Sequence, residues 1–446
     1  MRSHNLTLTL FVKEVRCLLT GRALWVLLVI LSILTGYSFI QAVTLFSQAS
    51  VTALQFPELA RGMSPLDGII VPTFGALYLA VTLLYPFVAI RMIGEETRSG
   101  GLKLLLQGHF SLVKIVTVKV LALASGWLLA LIPMLLALGI WHWVGGHVFL
   151  PELINLVAGY TLYVLVITAI AFFASALTES NSTAAIVTLA FTLGSWVLDF
   201  AAGTQGWLSS LSGISLTAQL RVYEHGLFSF SHTLQLLLSA GGLLALCVIW
   251  LHPGKSFTRK ISYSSAVIAG VIAAVLIVIA PMRTFFDVSE DRRNSFNPAD
   301  ERALQQMTEP LNITVYLSEN DSRLRELKRN ILPILRRTVP NLDVTYMDTG
   351  NEGLFGPQAD DMYGLIVYEY AGERDSSRST GAGEILPILH NLAGQTVTPD
   401  PVMEYSGYPL VADPSSFGIW FYGVLPALFG MLWWRNQHIP RRKGEQ

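Results

Sequence analysis

The chain has 446 residues, of which 52% are hydrophobic and only 14% charged, with a formal net charge of −1 and a mean hydropathy of +0.50. A water-soluble domain carries about a quarter charged residues, so this composition excludes an ordinary soluble enzyme. Charges are nearly absent from several long runs and dense between Arg283 and Asp413, the pattern of an integral membrane protein with one inserted water-soluble domain. Two cysteines, Cys17 and Cys247, have no plausible disulfide partner, and no Cys/His zinc spacing occurs.

Residues 5–22 mix Leu8, Leu10, Phe11, Val15, Leu18 and Leu19 with Lys13, Glu14, Arg16 and Arg22, which predicts an amphipathic interfacial helix over 1–22. The apolar run 23–43 is too long for a signal-peptide core and lacks a small-residue cleavage site, so it reads as a first span. Further runs near the ~20 residues a bilayer requires fall at 69–93, 113–141, 153–177, 183–202, 233–251, 262–280 and 417–434. Six spans make up a unit over 23–252. A seventh, with its inner loop, occupies 253–282, and an eighth with a basic tail occupies 415–446. Pro72, Pro86, Pro133 and Pro426 lie inside these runs and predict kinks that packed neighbours tolerate.

Between the second and third spans lies GEETRSGGLKLLLQGHFSLVKIVTVK, residues 94–119. It places Glu95, Glu96, Arg98, the Gly100-Gly101 pair and a leucine cluster at a bilayer face. Residues 94–112 therefore read either as a short helix against which a cytoplasmic partner pushes or as an ordinary interfacial loop. Residues 201–231 are apolar, are broken by Gly203, Gly206, Gly213 and Gly226, and contain Arg221, Glu224 and His225. They suit re-entrant helices in the outer leaflet or an ordinary outer loop.

Basic residues orient the spans. With the N-terminus inside, inner segments carry Lys13, Arg16, Arg98, Lys103, Lys114, Lys119, Lys255, Arg259, Lys260 and the 441–443 tail, whereas the short outer loops hold only Arg61 and Arg221. Both termini and the 94–112 segment are then cytoplasmic, and 283–414 faces outward. That outer domain has 12 basic and 21 acidic residues, a surface unsuited to nucleic acid. A helix from 297 towards 307, strands at 311–317, 343–347 and 364–370, and helices at 321–335 and 384–392 predict a small α/β domain with a partly parallel sheet. Residues 350–361 and 373–379 read as loops. The fold class is thus mainly α: a polytopic helical membrane protein of about eight transmembrane helices with an inserted extracytoplasmic α/β domain.

The chemistry is mostly negative. Gly254-Lys255-Ser256 has Ile249 where a phosphate-binding loop requires its first glycine, and no nucleophile elbow or His-Glu-x-x-His pair occurs. No catalytic, cofactor-binding or metal residue is assigned. His142 and His147 read as members of an interfacial aromatic belt rather than metal ligands. Glu179 and Asp199 read as solvated acids at span ends, and Asp360-Asp361 and Asp287/Glu290/Asp291 as acidic surface without a calcium ladder.

The amphipathic N-terminal helix, six spans and broken outer segment resemble the membrane subunits of type-2 ABC transporters, mostly exporters. Glu95/Glu96, Leu104-Leu105-Leu106, Ser111 and Lys119 match that family's inner segment, while His109 stands in its proline position and Val118 in its glycine position. The rest of the chain resembles the auxiliary subunit of gliding-motility-type ABC transporters, through 287–296 (DVSEDRRNSF), the strands 312–317 and 364–370, and 377–380 (SRST). The outer domain is shorter than in that subunit.

The resemblance implies a permease without its own nucleotide site, in a bacterial inner membrane with 283–414 in the periplasm. A separate ATPase dimer would bind and hydrolyse ATP. It would dock at Glu95, Glu96, Arg98, Leu104, Leu105, Leu106, Ser111 and Lys119, and its closure would move spans one, two and five as rigid bodies. A second permease copy or paralogue, a periplasmic auxiliary subunit and membrane lipids are the other implied partners. Two other readings stay open: an ATP-driven envelope-assembly or motility component that moves no solute, and a membrane-anchored scaffold whose outer domain binds an envelope ligand.

Overall fold

The structure, a computed structural model, describes residues 2–108, 110–202, 213, 215–279, 282, 284–318, 321–347, 362–398 and 405–438. His109, Asp360-Asp361, the predicted loop 350–361, most of the broken stretch 203–214 and the basic tail 441–443 lie outside the described residues. The chain divides into two compact units: 1–286 with 406–446, and 287–405.

In the first unit, helix α1 (Arg2–Thr20) buries a stripe one residue wide, Leu10, Glu14 and Leu18, at i, i+4 and i+8. Leu6, Leu8 and Val12 are exposed on its other faces. Gly21 takes extended backbone and ends it, and α2 (Arg22–Gln55) follows. At 34 residues α2 runs about 51 Å, well past the predicted stop at 43, because Phe46, Ser47, Ser50 and Ala53 continue its buried face. Then come α3 (Leu66–Ser99), the short α4 (Gly101–Gln107), α5 (Leu112–Trp143), α6 (Leu150–Leu177), α7 (Asn181–Ala202), α8 (Leu216–Glu224), α9 (Phe230–Leu251) and α10 (Phe257–Ile279).

Seven of these, α2, α3, α5, α6, α7, α9 and α10, are long and apolar enough to cross a membrane, the architecture of a multi-pass helical protein. The predicted eighth run is helical over 419–437 but is not among the seven. Its C-terminal half, with Trp433, Trp434, Arg435 and Asn436, is too polar for that class. Each of the four prolines sits in the first turn of a fresh helical stretch: Pro72 after Ile70, Pro86 after Leu84, Pro133 after Leu131 and Pro426 after Val424. A proline has no N–H to give to the preceding turn, so the helix restarts there.

Helix α6 is the hub of this unit, packing against α9, α3, α7 and α8. Close approach is set by missing side chains. A Cβ on Gly159 would lie 2.5 Å from Tyr223 Cβ of α8, and one on Gly36 of α2 would lie 2.3 Å from Phe421 Cβ. Residues 406–412 run along α2 and the 60–63 turn: Tyr408 N donates to Met63 O, Leu410 N to Ser50 Oγ and Ala412 N to Ser47 Oγ, at 3.0 Å each. The final helix then lies along α2, with Phe417 and Phe421 on Phe39 and Phe429 against Trp25.

The second unit is built on a four-stranded mixed sheet of β1 (Leu311–Val315), β2 (Leu342–Tyr346), β3 (Ile366–Tyr370) and β4 (Glu373–Ser377), in the order β2-β1-β3-β4. β1 and β2 are parallel, whereas β1–β3 and β3–β4 are antiparallel. The parallel pair is bridged by a helical stretch over 322–338, whose Leu324, Leu327, Ile331 and Leu335 pack on the sheet with Ile313 and Tyr368. Helices Pro298–Gln305, capped by the Asn297 side chain, and Ala382–Leu392 complete the layer. The stretch 373–379, predicted as a loop, contains strand β4. Ala371 and Gly372 both have positive φ and close a two-residue hairpin. Glu-Arg-Asp-Ser-Ser hides the strand because it is a solvated edge, where charges block further pairing.

Candidate functional site

The polar stretch after the second span is not a separate loop in its first half. Residues 94–99 continue α3, which ends at Gly100, where φ is 76°. That left-handed residue suits glycine and turns the chain into α4. Ser111 then caps α5 by accepting from Lys114 N at 3.3 Å.

The predicted site residues separate into an inner and an outer set. Lys119, at the start of the third turn of α5, is 2% exposed. Its Nζ lies 2.8 Å from Glu14 Oε2 and 2.9 Å from Glu96 Oε2, and donates to the Met92 carbonyl at 2.7 Å. Lys13 joins the cluster through Glu96 and through Glu14 Oε1 at 2.9 Å. Burial opposes the charge on Lys13, but its bonds to Glu14 and Glu96 outweigh that and hold its pKa above the usual lysine value. Two cations and two carboxylates thus cancel, and the buried charges of Lys119 and Glu14 would each be costly alone. They tie α1, the end of α3 and the start of α5 together.

Glu95 points outward and pairs with Arg91 one turn back. Arg98 Nε donates to the Glu179 carbonyl at 2.9 Å, joining the end of α3 to the turn before α7. There Gly94 permits a close approach: its Cβ would lie 2.2 Å from Asn181 Oδ1. The leucine cluster splits. Leu102 is buried with Leu10, Leu112, Ile115 and Val118, and Leu105 and Leu106 pack partly on that group, but Leu104 is 69% exposed.

The structure therefore brings Glu96 and Lys119 together and leaves Glu95 and Leu104 at the surface. Sequence reasoning missed Glu14, Lys13 and the Met92 carbonyl. The available signal was Leu10-x-x-x-Glu14-x-x-x-Leu18, an acid inside an apolar helical stripe.

Elsewhere, Asp199 pairs with Arg221 at 2.6 Å, and Tyr160 donates to Glu224 Oε1 at 2.9 Å and to the Phe74 carbonyl at 3.0 Å. The His147 ring stacks on Tyr408 with centroids 3.7 Å apart, and Trp141 Nε1 donates to the His147 carbonyl. Among the described residues no three His, Cys, Asp or Glu side chains converge as metal ligands. The chain matches no family model, no curated protein and no solved structure.

Proposed function

We infer that this chain is the membrane permease subunit of an ABC transporter of the type-2 class, driven by a separate ATPase that docks on the surface formed by the end of α3 and by α4. The observation that supports this reading is the ion cluster under that surface. Because Lys119 binds α1, α3 and α5 at once, a push on exposed Leu104 or Glu95 moves three helices as one body. A flexible loop would absorb the same push. The ATP is bound by the partner chain, and the permease contributes no cofactor of its own.

In this reading α4 and both termini are cytoplasmic, unit 287–405 is periplasmic, and the membrane is a bacterial inner membrane. Export is the favoured direction, and the complex contains a second permease, either a copy or a paralogue. The test is purification of the chain from its native membrane with an ATPase that its presence stimulates. Leu104→Asp with Glu95→Lys abolishes the stimulation, while the melting of the permease stays unchanged. Stimulation that survives this pair sinks the docking assignment. Glu96 and Lys119 are unsuitable for that test, since their loss breaks an internal cluster.

A further inference from the structure

Helix α10 is the most lipid-like element of the chain: none of its most apolar 18-residue window is buried within the protein, and it packs alongside α9. Phe257, Ile261, Ile268, Ile272 and Ile277 are all exposed along it. At the end where α9 and α10 join, three cations fall within six residues: Lys255, Arg259 and Lys260. The sequence contains no acidic residue from 225 to 286, and among the described residues no carboxylate pairs with any of the three.

Aromatic rings sit against two of these cations. Lys255 Nζ sits 4.2 Å over the Tyr263 ring, and Lys260 Nζ sits 5.8 Å from the Trp250 ring while donating to the Trp250 carbonyl at 2.8 Å. Trp250 Nε1 donates to Ser264 Oγ at 3.1 Å, and Phe257 packs edge-on against the Trp250 ring. Trp and Tyr settle at the headgroup level of a bilayer because they are apolar at one end and polar at the other. Lys260 is partly used in capping α9, so Lys255 and Arg259 carry the unneutralised charge.

We propose that this corner binds the phosphate headgroup of an anionic phospholipid, with Lys255 and Arg259 on the phosphate and the acyl chains lying along α10. Arginine suits a phosphate because its planar fork donates two parallel bonds. The complementary charge and the apolar helix surface beginning at the same point favour a lipid over a soluble anion, which has nothing to lay against Phe257 and Ile261.

The purified full chain is incubated with equal amounts of phosphatidylglycerol and phosphatidylcholine of matched chain length, and the retained lipid is read by native mass spectrometry. The wild type retains phosphatidylglycerol in preference. Each cation near a membrane surface contributes about fivefold, so Lys255→Gln with Arg259→Gln lowers that preference by an order of magnitude or more. Lys255→Arg with Arg259→Lys keeps it, which separates loss of charge from loss of fold, and Lys114→Gln leaves it intact. Equal retention of both lipids by the wild type overturns the proposal, as does an unaltered preference in the double glutamine variant or an equal loss in Lys114→Gln. Displacement of the lipid by inorganic phosphate alone also overturns it, since the occupant is then a free anion. No ATPase enters this measurement, so it stands or falls separately from the permease reading.

Discussion

Lys119 and Glu14 are 105 positions apart in the chain, yet the ammonium and the carboxylate meet at 2.8 Å with side chains only 2% and 3% exposed. An ion pair so placed fixes geometry more surely than it adds stability, because desolvation offsets most of the attraction. Its worth to the protein is that the amphipathic α1 is pinned to the helices on either side of α4. A helix held only by Leu10 and Leu18 could roll along its neighbours.

Replacing one member of the cluster leaves the others stranded. Lys119→Met leaves two carboxylates, Glu14 and Glu96, sharing only the half-exposed Lys13, and is expected to lower stability by roughly 3–5 kcal/mol. Adding Glu14→Leu restores much of the loss, since the remaining charges are then Lys13 and Glu96, which already pair. Thermal melts of the single and double variants in detergent form the cycle. Additive losses would mean that the two side chains are not coupled.

Gly407 has φ of 72°, and a Cβ there would sit 1.6 Å from the Ala60 carbonyl oxygen. Gly407→Ala should displace the 406–412 segment from the 60–63 turn and break the bond from Tyr408 N to Met63 O. The expected cost is about 2 kcal/mol or more. Gly430→Ala, in the helix that follows and with open space at the Cβ position, serves as the control and should leave the melting temperature nearly unchanged.

Gly36 offers a parallel case inside the helix pair. Gly36→Ala puts a methyl group onto Phe421 and should push the final helix off α2, weakening the bond from Ser32 Oγ to the Phe421 carbonyl at 2.7 Å. Overpacking of this sort costs about 1–3 kcal/mol. A second substitution, Phe421→Gly, removes the Cβ that the new methyl meets and should relieve the clash, so the pair together should be less than additive.

In the second unit, hydrogen bonds from Arg323 hold the Asp321 pKa below its ordinary 3.8, with help from Tyr363. A depressed carboxylate contributes stability that is present above the unfolded value and is lost as the pH falls through the folded one. Asp321→Asn should therefore melt earlier than wild type at neutral pH, and the gap should narrow once the pH drops below about 3.8. Melts of the full chain across that window provide the check. A gap that stays constant would show that the bond its side chain accepts from Arg323 N at 2.9 Å, capping the helical stretch 322–338, and not its charge, is what Asp321 supplies.

Apolar length made the membrane-crossing helices readable from sequence, and alternation with β-branched residues made β1 and β3 readable, because burial on one side imposes a period. What escaped follows from the same logic. β4 has no buried face to impose an alternation, so Glu373 to Ser377 resembled a loop. The extension of α3 to Ser99 was hidden because Gly94, Glu95 and Glu96 look like an exit from the bilayer, and only the positive φ at Gly100 marks the true end. The apolar stripe around Glu14 marks it as a buried acid, but its pairings were invisible because the bonds of the cluster span 83 and 105 residues, and no local pattern encodes a partner that far away. Glu96 and Lys119 were selected for their match to a family segment. Their burial with Glu14 depends on where α1 lies, which one sequence does not report.

The contact between Ser32 and the Phe421 carbonyl closes a separation of 389 residues. During synthesis the face of α2 that carries Ser32, Gly36 and Phe39 is complete long before its cover exists. At ~5–20 residues per second, that face waits on the order of 20–80 s for the last helix. Phe39 must be sheltered by lipid or by a membrane chaperone in the meantime, and then released. A ribosome that stalls within 287–405 would leave a nascent chain whose first long helix still lacks its mate, a marked target for membrane quality control.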